Sequence, residues 1–371
     1  MTSAQPQTAL VLGGSGFFGQ RIAAALTLKP SLRVLLAGRD LQRARDAAAA
    51  MELSREHAVQ IDAGAADLVQ RLRDLQVDVV IHTAGPFQGQ DYRVARAAIG
   101  AGCHYIDLAD GRQFVVGIDC LNHAAQEGGL SIISGASSVP ALSSAVIERY
   151  AARLRRLDCI RIGISSGARA PGLATFRGVF SYAGKPVATW QGGRWIEAYG
   201  WLDLRRHRFP APLGKRWLGN CDVPDLELLP RRYPSVRSVS FQAGFASDLG
   251  QLTLWSLAAL VRAGVLSDMS RLAAPLHRLS RWLEPWASGQ GGMFVELQGT
   301  GTEGAPARIT WNLLARRNHG PYIPCGAAIA LVRKLAAGVA LPKGAMPCVG
   351  LLTVDEFLQP LRGLALEELA P

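Results

Sequence analysis

The chain contains no CxxC pair and no clustered set of cysteine and histidine. Its six cysteines, Cys103, Cys120, Cys159, Cys221, Cys325 and Cys348, are scattered through 371 residues. That excludes a zinc ribbon or finger and fits reduced thiols in a cytoplasm, and no metal site is expected. Long apolar runs are missing too. The polar start, 1–7, is followed only by the short run 8–12, far less than a secretory h-region or a membrane span needs. Lysine is scarce, five residues beside thirty-five arginines, within a formal net charge of +11. No basic run carries interleaved aromatics, so no nucleic-acid partner is expected. The excess charge fits an anionic small molecule or a membrane surface, or reflects nucleotide bias in the source genome. Charged residues make up 19% and hydrophobic ones 49%, which rules out a disordered chain. Forty glycines and twenty prolines follow no period, so solenoid and collagen-like folds are excluded.

What is present in the first half is an alternation of short apolar runs with helical segments. Strands are predicted at 8–12, 33–37, 58–62, 78–84, 104–108 and 130–134. Helices are predicted between them at 19–28, 40–51, 67–76, 91–101 and 119–126. Continuous apolar strands separated by helices imply a parallel sheet covered on both faces, and six such units make a doubly wound dinucleotide-binding (Rossmann) domain. From about residue 158 the strands lengthen and alternate. Hairpins are predicted at 187–190 with 195–199, turning at Gly192-Gly193, and at 293–299 with 307–314. The fold expected is therefore α/β, with a Rossmann domain at 1–145 and a second α+β domain at 146–321 whose sheet is largely antiparallel. A helix at 325–337, closed by Gly338, and the tail through 371 are expected to pack back on the first domain.

The nucleotide site is placed by the first strand. It runs into Gly13-Gly14-Ser15-Gly16-Phe17-Phe18-Gly19, where Gly14, Gly16 and Gly19 have the GxGxxG spacing. The first glycine permits the tight turn, the second admits the pyrophosphate to the backbone, and the third packs helix on strand. Arg39, at the end of the second strand, stands where an acidic residue would take a ribose 2′-OH, and a guanidinium there pairs with a 2′-phosphate. NADP(H) is the cofactor this favours, NAD(H) the alternative. Asp40 is a cofactor contact or the cap of the next helix. Asp62 is placed for the adenine amino group or for helix capping. Thr83-Ala84-Gly85-Pro86 offers small residues against which a nicotinamide ribose lies.

Hydride transfer needs a proton donor or acceptor and a substrate clamp beside the cofactor. The exit of the fifth strand supplies Tyr105 and Asp107 on one face and Arg112 just beyond it. The first two either position cofactor and substrate or tie the strand end to its neighbours. Arg112 either clamps a substrate carboxylate or is a solvated surface residue. His104, on the opposite face, reads as a core histidine. Ser134 to Pro140 offers small polar groups before a helix opening at Pro140. Arg169, Arg177 and Arg205-Arg206-His207-Arg208 are candidates for an acidic substrate, and Trp190, Trp195, Tyr199 and Trp201 for an apolar cavity or core. Segment 252–266 is a strongly apolar helix. Segment 269–286 is basic and amphipathic, with Arg271, Arg278, Arg281, Trp282 and Trp286, and reads as a membrane contact, a dimer interface or core.

Four features in order resemble the saccharopine dehydrogenase-like oxidoreductases: the loop 13–19, Ala37-Gly38-Arg39, His82-Thr83-Ala84-Gly85-Pro86-Phe87, and the run from Ala101-Gly102-Cys103 to Tyr105-Ile106-Asp107. The likeness covers residues 8–145, and 321–338 and 344–350 also look familial. It implies an NADP(H)-dependent, two-domain oxidoreductase acting at a C–N or C=C bond of a small substrate, expected as a cytoplasmic homodimer. The short-chain dehydrogenase pattern Tyr-x-x-x-Lys is absent: the fourth residue after Tyr92 is Arg96, after Tyr150 Leu154 and after Tyr182 Pro186. Two further readings remain, a nucleotide sensor or scaffold without turnover and a membrane-peripheral reductase of a lipid.

Overall fold

The computed structural model describes residues 6–167, 172–267, 269–283 and 288–371. The chain forms two compact units. The first holds the residues up to Ala141 together with Pro324–Pro360, and the second Leu142–Ile323 with Leu361–Pro371.

In chain order the first unit begins β1 (Gln7–Leu12), α1 (Gly19–Thr27), β2 (Leu32–Gly38), α2 (Leu41–Ala49), β3 (Ala58–Gln60), α3 (Leu68–Asp74), β4 (Val79–His82), α4 (Arg93–Ala101), β5 (His104–Asp107), α5 (Arg112–Val116), α6 (Asn122–Glu127) and β6 (Ser131–Ser134). The second unit follows with α7 (Ser143–Ala151), β7 (Leu154–Ser165), α8 (Leu173–Ser181), β8 (Pro186–Gln191), β9 (Arg194–Tyr199), β10 (Arg205–Arg208), β11 (Lys215–Asn220), α9 (Asp225–Arg232), β12 (Ser238–Gly244), α10 (Asp248–Arg262), α11 (Ala273–Leu283), β13 (Gly291–Gly301) and β14 (Pro306–Ala315). The chain then returns to the first unit through α12 (Gly326–Ala336), β15 (Gly344–Pro347) and α13 (Val354–Leu358), and ends in the second with β16 (Leu366–Leu369).

The first sheet is fully parallel, in the order β15-β6-β5-β4-β1-β2-β3. Its strands are apolar throughout because helices cover both faces, and Ala9, Leu10, Val11, Val80, Ile81 and Ile106 are all essentially buried. Helix α1 buries Gly19, Ile22, Ala23 and Leu26, one face at helical spacing, and burying Ile22 and Leu26 stabilises by about 1.5–3 kcal/mol each. Asp40 caps α2 by accepting the Arg43 N–H at 3.0 Å, and α4 stops at Gly102 with φ +79°. From β1 the strand order runs one way to β2 and β3 and the other way to β4, β5 and β6. The β1/β4 boundary is thus the switch point where an open α/β sheet takes a ligand.

The structure revises several expectations. The sheet has seven strands, β15 pairing beside β6, not six. Strand β3 ends at Gln60, leaving Asp62 in the loop beyond it. The helix expected at 119–126 is a 3-10 turn at Gly117–Leu121 followed by α6, with the separate short helix α5 before it. Helix α7 begins at Ser143, after an irregular turn through the cis Val139–Pro140 bond, rather than at Pro140.

The second sheet has the order β10-β11-β12-β7-β13-β14-β16, antiparallel except between β12 and β7. The β8–β9 hairpin turns at Gly192 and Gly193 with φ +62° and +80°, as its sequence requires. Strand β16 pairs with β14, so residues beyond 361 belong to this unit. That corrects the expectation that the whole tail would pack on the first. Strand β16 pairs through its backbone while Glu367 and Glu368 reach Arg316 and Arg149.

Arg169 and Trp286 lie outside the described residues, as does the side chain of Arg271. Arg177 is exposed on α8. Trp190 and Trp195 meet edge to face across the hairpin at 5.2 Å, and Trp201 is buried and stacked on Phe245 at 5.6 Å. All six cysteines are free, and no helix among the described residues is long and apolar enough to cross a membrane.

Candidate active site

The glycine loop is pinned to both strands that flank β1. Gly13 and Gly14 donate to Ala37 O of β2 at 2.8 and 3.1 Å, and the Thr83 hydroxyl after β4 donates to Leu12 O at 2.9 Å and Gly13 O at 3.2 Å. Each glycine is there for space. Gly13 has φ +86°, a Cβ on Gly14 would sit 2.9 Å from Leu36 Cα, and one on Gly19 would sit 2.2 Å from Gly13 O. The loop therefore lies against β2 and the start of α1 so closely that only hydrogen fits, leaving its outer side as a cradle of bare backbone at a helix N-terminus. Ser15 extends toward Gly38, at the end of β2. Phe17 is held by Arg21, whose guanidinium stacks 4.1 Å above its ring and bonds its carbonyl, and Phe18 meets Phe17 edge to face.

Arg39 is exposed immediately after β2 and makes no ion pair with any described carboxylate, since the adjacent Asp40 is committed to its helix cap. Asp62 is exposed and accepts the Gly64 N–H at 2.9 Å, an Asx turn at the end of the β3 loop. Ala84, Gly85 and cis Pro86 are held from behind by Gln90, whose amide donates to Ala84 O and Pro86 O at 2.9 and 2.6 Å. A cradle that a Cβ would fill, with an unengaged guanidinium at its β2 rim, fits an NADP phosphate and ribose. The residues that would hold it are Gly14 to Gly19, Arg39, Asp62 and Thr83 to Pro86.

The residues expected to be catalytic are distributed differently. Tyr105 and Asp107 are completely buried on the sheet face beneath α4. Asp107 Oδ1 accepts from Ala109 N (2.9 Å), Gly135 N (2.8 Å) and Ser134 Oγ (3.0 Å), which ties the exit of β5 to that of β6. Its Oδ2 has no hydrogen bond of good geometry, although the Tyr105 hydroxyl is near enough to favour the ionised form. Burial outweighs these and pushes the Asp107 carboxyl up to about 6. Tyr105 hydroxyl lies 3.0 Å from His82 Nδ1, and burial drops His82 to about 4, so the imidazole is neutral. Both side chains are fully buried, Asp107 tying the exits of β5 and β6 together and Tyr105 meeting His82 at the end of β4. His104 is a satisfied histidine, accepting the Ser131 N–H at 3.0 Å. Arg112 is buried at the first position of α5, not solvated.

Asp110 is the residue that sequence reading passed over. It sits partly exposed in the loop between β5 and α5, accepts from Gln88 Nε2 at 3.1 Å, and has its carboxyl raised by burial. This bond joins the loop after β5 to the loop after β4, and Gly111 lies flat on Phe87, where a Cβ would come within 3.2 Å. The signal was a second aspartate three residues after Asp107, obscured because both precede a glycine-started helix and read alike.

Asp107→Asn separates tie from titration. The amide keeps an oxygen for the three donors and sets its NH₂ beside the Tyr105 hydroxyl, which accepts. In the native chain the folded state binds more protons than the unfolded between pH 3.8 and about 6. Unfolding free energy should thus fall by about 3 kcal/mol as pH rises through that window. The variant, followed by urea unfolding from pH 4 to 7, should lack that fall; a fall of equal size would show that Asp107 is not its source.

Residues 9–133 match the saccharopine dehydrogenase NADP binding domain family. No curated protein matches the chain in sequence. Among solved structures the fold is similar to apo histidine-tagged saccharopine dehydrogenase (L-Glu forming) from Saccharomyces cerevisiae, with TM-score 0.67 and 14% identity over 98% of this chain and 100% of that one. It is also similar to an amine dehydrogenase from Mycobacterium smegmatis, with TM-score 0.50 and 12% identity over 95% of this chain and 96% of that one. The glycine cradle, the switch point and the family match over residues 9–133 support an NAD(P)-dependent oxidoreductase. Residues 9–133 thus match an NADP-binding domain of the saccharopine dehydrogenase kind, which supports NADP(H) as the cofactor.

Proposed function

We propose that the chain reduces or oxidises a C–N bond of a small, carboxylated substrate with NADP(H). Bound NADP(H) supplies or accepts the hydride. The observation that carries the proposal is Asp110, a half-buried residue between the loops after β4 and β5 whose carboxyl has raised proton affinity. A carboxyl of this kind protonates an imine nitrogen, or as carboxylate faces the positive charge an iminium carries. Gln88 fixes its orientation and Gln90 the backbone of Ala84 to Pro86 opposite it. Arg112, buried at the start of α5, is the cation we assign to the substrate carboxylate, in exchange for the contacts it makes in the unliganded fold. Two of the solved structures that share the fold are named for saccharopine and for amines, which supports C–N over C=C chemistry.

Asp110→Asn should lower NADPH-dependent imine reduction about 100-fold, remove the alkaline limb of its pH profile, and leave NADPH affinity unchanged. A panel of imines and enoyl compounds, followed by NADPH absorbance, is the measurement. Unaltered turnover in the variant would remove Asp110 from the reaction, and activity on enoyl compounds alone would replace C–N by C=C. Tight NADPH binding without turnover on either class would make the chain a nucleotide sensor.

A further inference from the structure

The second unit carries an apolar groove of about 740 Å³, lined by residues of α10 (Leu252, Trp255, Ala259 and Arg262), by 202–204 and by Trp217 of β11. Helix α10 is apolar on its outer side as well as its inner one. It buries Gln251, Leu254 and Ala258 on one side, while Leu249 (73% exposed), Leu252 (42%), Trp255 (39%) and Leu260 (41%) face outward. Only Asp248 and Arg262, at its ends, carry charge. An amphipathic surface helix places polar groups on that face, so a contiguous apolar stripe there marks a contact with something that is not water.

Charge says what that something is. In the antiparallel β10–β11 ribbon, Arg206 stands opposite Trp217 and Arg208 opposite Lys215. Because opposed residues point the same way, Arg206, Arg208 and Lys215 share the face of Trp217, whose ring lines the groove. The Arg206 guanidinium rests 4.9 Å above that ring. All three cations are exposed, and none forms an ion pair with a described carboxylate. The acidic residue at the groove, Asp203, is hydrogen-bonded to Asn220 at 3.0 Å. Apolar side chains with tryptophan at the rim, beside a row of unneutralised cations, have the arrangement of a helix lying in a lipid interface with its cations among anionic headgroups.

We propose that the α10 groove and the β10–β11 ribbon dock the protein on a bilayer containing anionic phospholipid. This surface lies wholly in the second unit and is independent of the reaction assigned to the first.

The test is co-flotation with vesicles of phosphatidylcholine, with and without phosphatidylglycerol. The protein should float with the anionic vesicles at low ionic strength, stay behind with phosphatidylcholine alone, and be released at about 1 M salt, where screening shortens the Debye length to about 3 Å. The double substitution Leu252→Ser/Trp255→Ser, and separately the triple Arg206→Glu/Arg208→Glu/Lys215→Glu, should each cut the bound fraction by at least about tenfold while NADPH titration is unchanged. Failure to float with anionic vesicles, or equal flotation by either variant, would overturn the proposal. So would a dimer, seen by sedimentation velocity, that Leu252→Ser/Trp255→Ser splits into monomers, because a second copy would then be the occupant.

Discussion

Replacing Arg39 by aspartate is expected to weaken NADPH binding by about 10- to 100-fold and to leave NADH binding within a few-fold of the native value. The guanidinium stands at the tip of β2 with no carboxylate to satisfy it, because Asp40 is engaged by the Arg43 N–H. A charge-assisted hydrogen bond to a phosphate contributes about 1.5–3 kcal/mol, which gives that range, and an aspartate adds repulsion on top. A carboxylate in the same place accepts from a ribose hydroxyl instead, so the preference should tilt toward NADH. Fluorescence titration with both dinucleotides measures it. Equal loss for the two would mean that Arg39 does not touch the 2′-phosphate.

Gly19→Ala should have the larger effect on the fold of the site. The added Cβ would stand 2.2 Å from Gly13 O and 2.9 Å from Gly14 Cα, both backbone, so no side chain can swing aside to relieve it. Either the loop lifts from α1 or α1 shifts along β1, and both dismantle the cradle. The expected cost is about 1–3 kcal/mol of stability, seen as a lower Tm, together with loss of measurable NADPH binding. Gly38→Ala is the matched control. Its Cβ would meet nothing nearer than the Ser15 hydroxyl at 4.0 Å, and both Tm and binding should stay close to native. A Gly19→Ala protein that binds NADPH normally would show that close contact between loop and helix is not what shapes the site.

The first sheet was legible because burial on both faces leaves a signature no other arrangement produces: apolar runs such as 9–12 and 79–81, each followed by a helix. Asp40 as a cap and Gly102 as a helix stop were legible from the same local chemistry. Features without such a signature escaped. Strand β15 contains a glycine at φ +119° and a proline, residues that ordinarily end strands, and it forms because β6 offers an open edge. Strand β16 owes its place to pairing with β14 and to carboxylates met by Arg316, Arg149 and the Trp311 indole, partners far away in sequence. The chemistry of strand five was half legible. A tyrosine and an aspartate on one face of a covered strand had to find partners, but only the fold shows that the partners are backbone N–H groups and His82. Asp110 differs from Asp107 in exposure and in its partners, Gln88 in place of two backbone N–H groups and Ser134, and neither is written in local sequence.

The chain passes from one unit to the other three times, at 141–142, 323–324 and 360–361. During synthesis, therefore, the dinucleotide-binding sheet lacks an edge until β15 has left the ribosome, and the second sheet waits for residues 366–369. The first-made body thus cannot mature before most of the second has been synthesised, unlike successive domains on a nascent polypeptide. A chaperone attending this protein would meet two incomplete sheets with open flanks until those late segments have emerged.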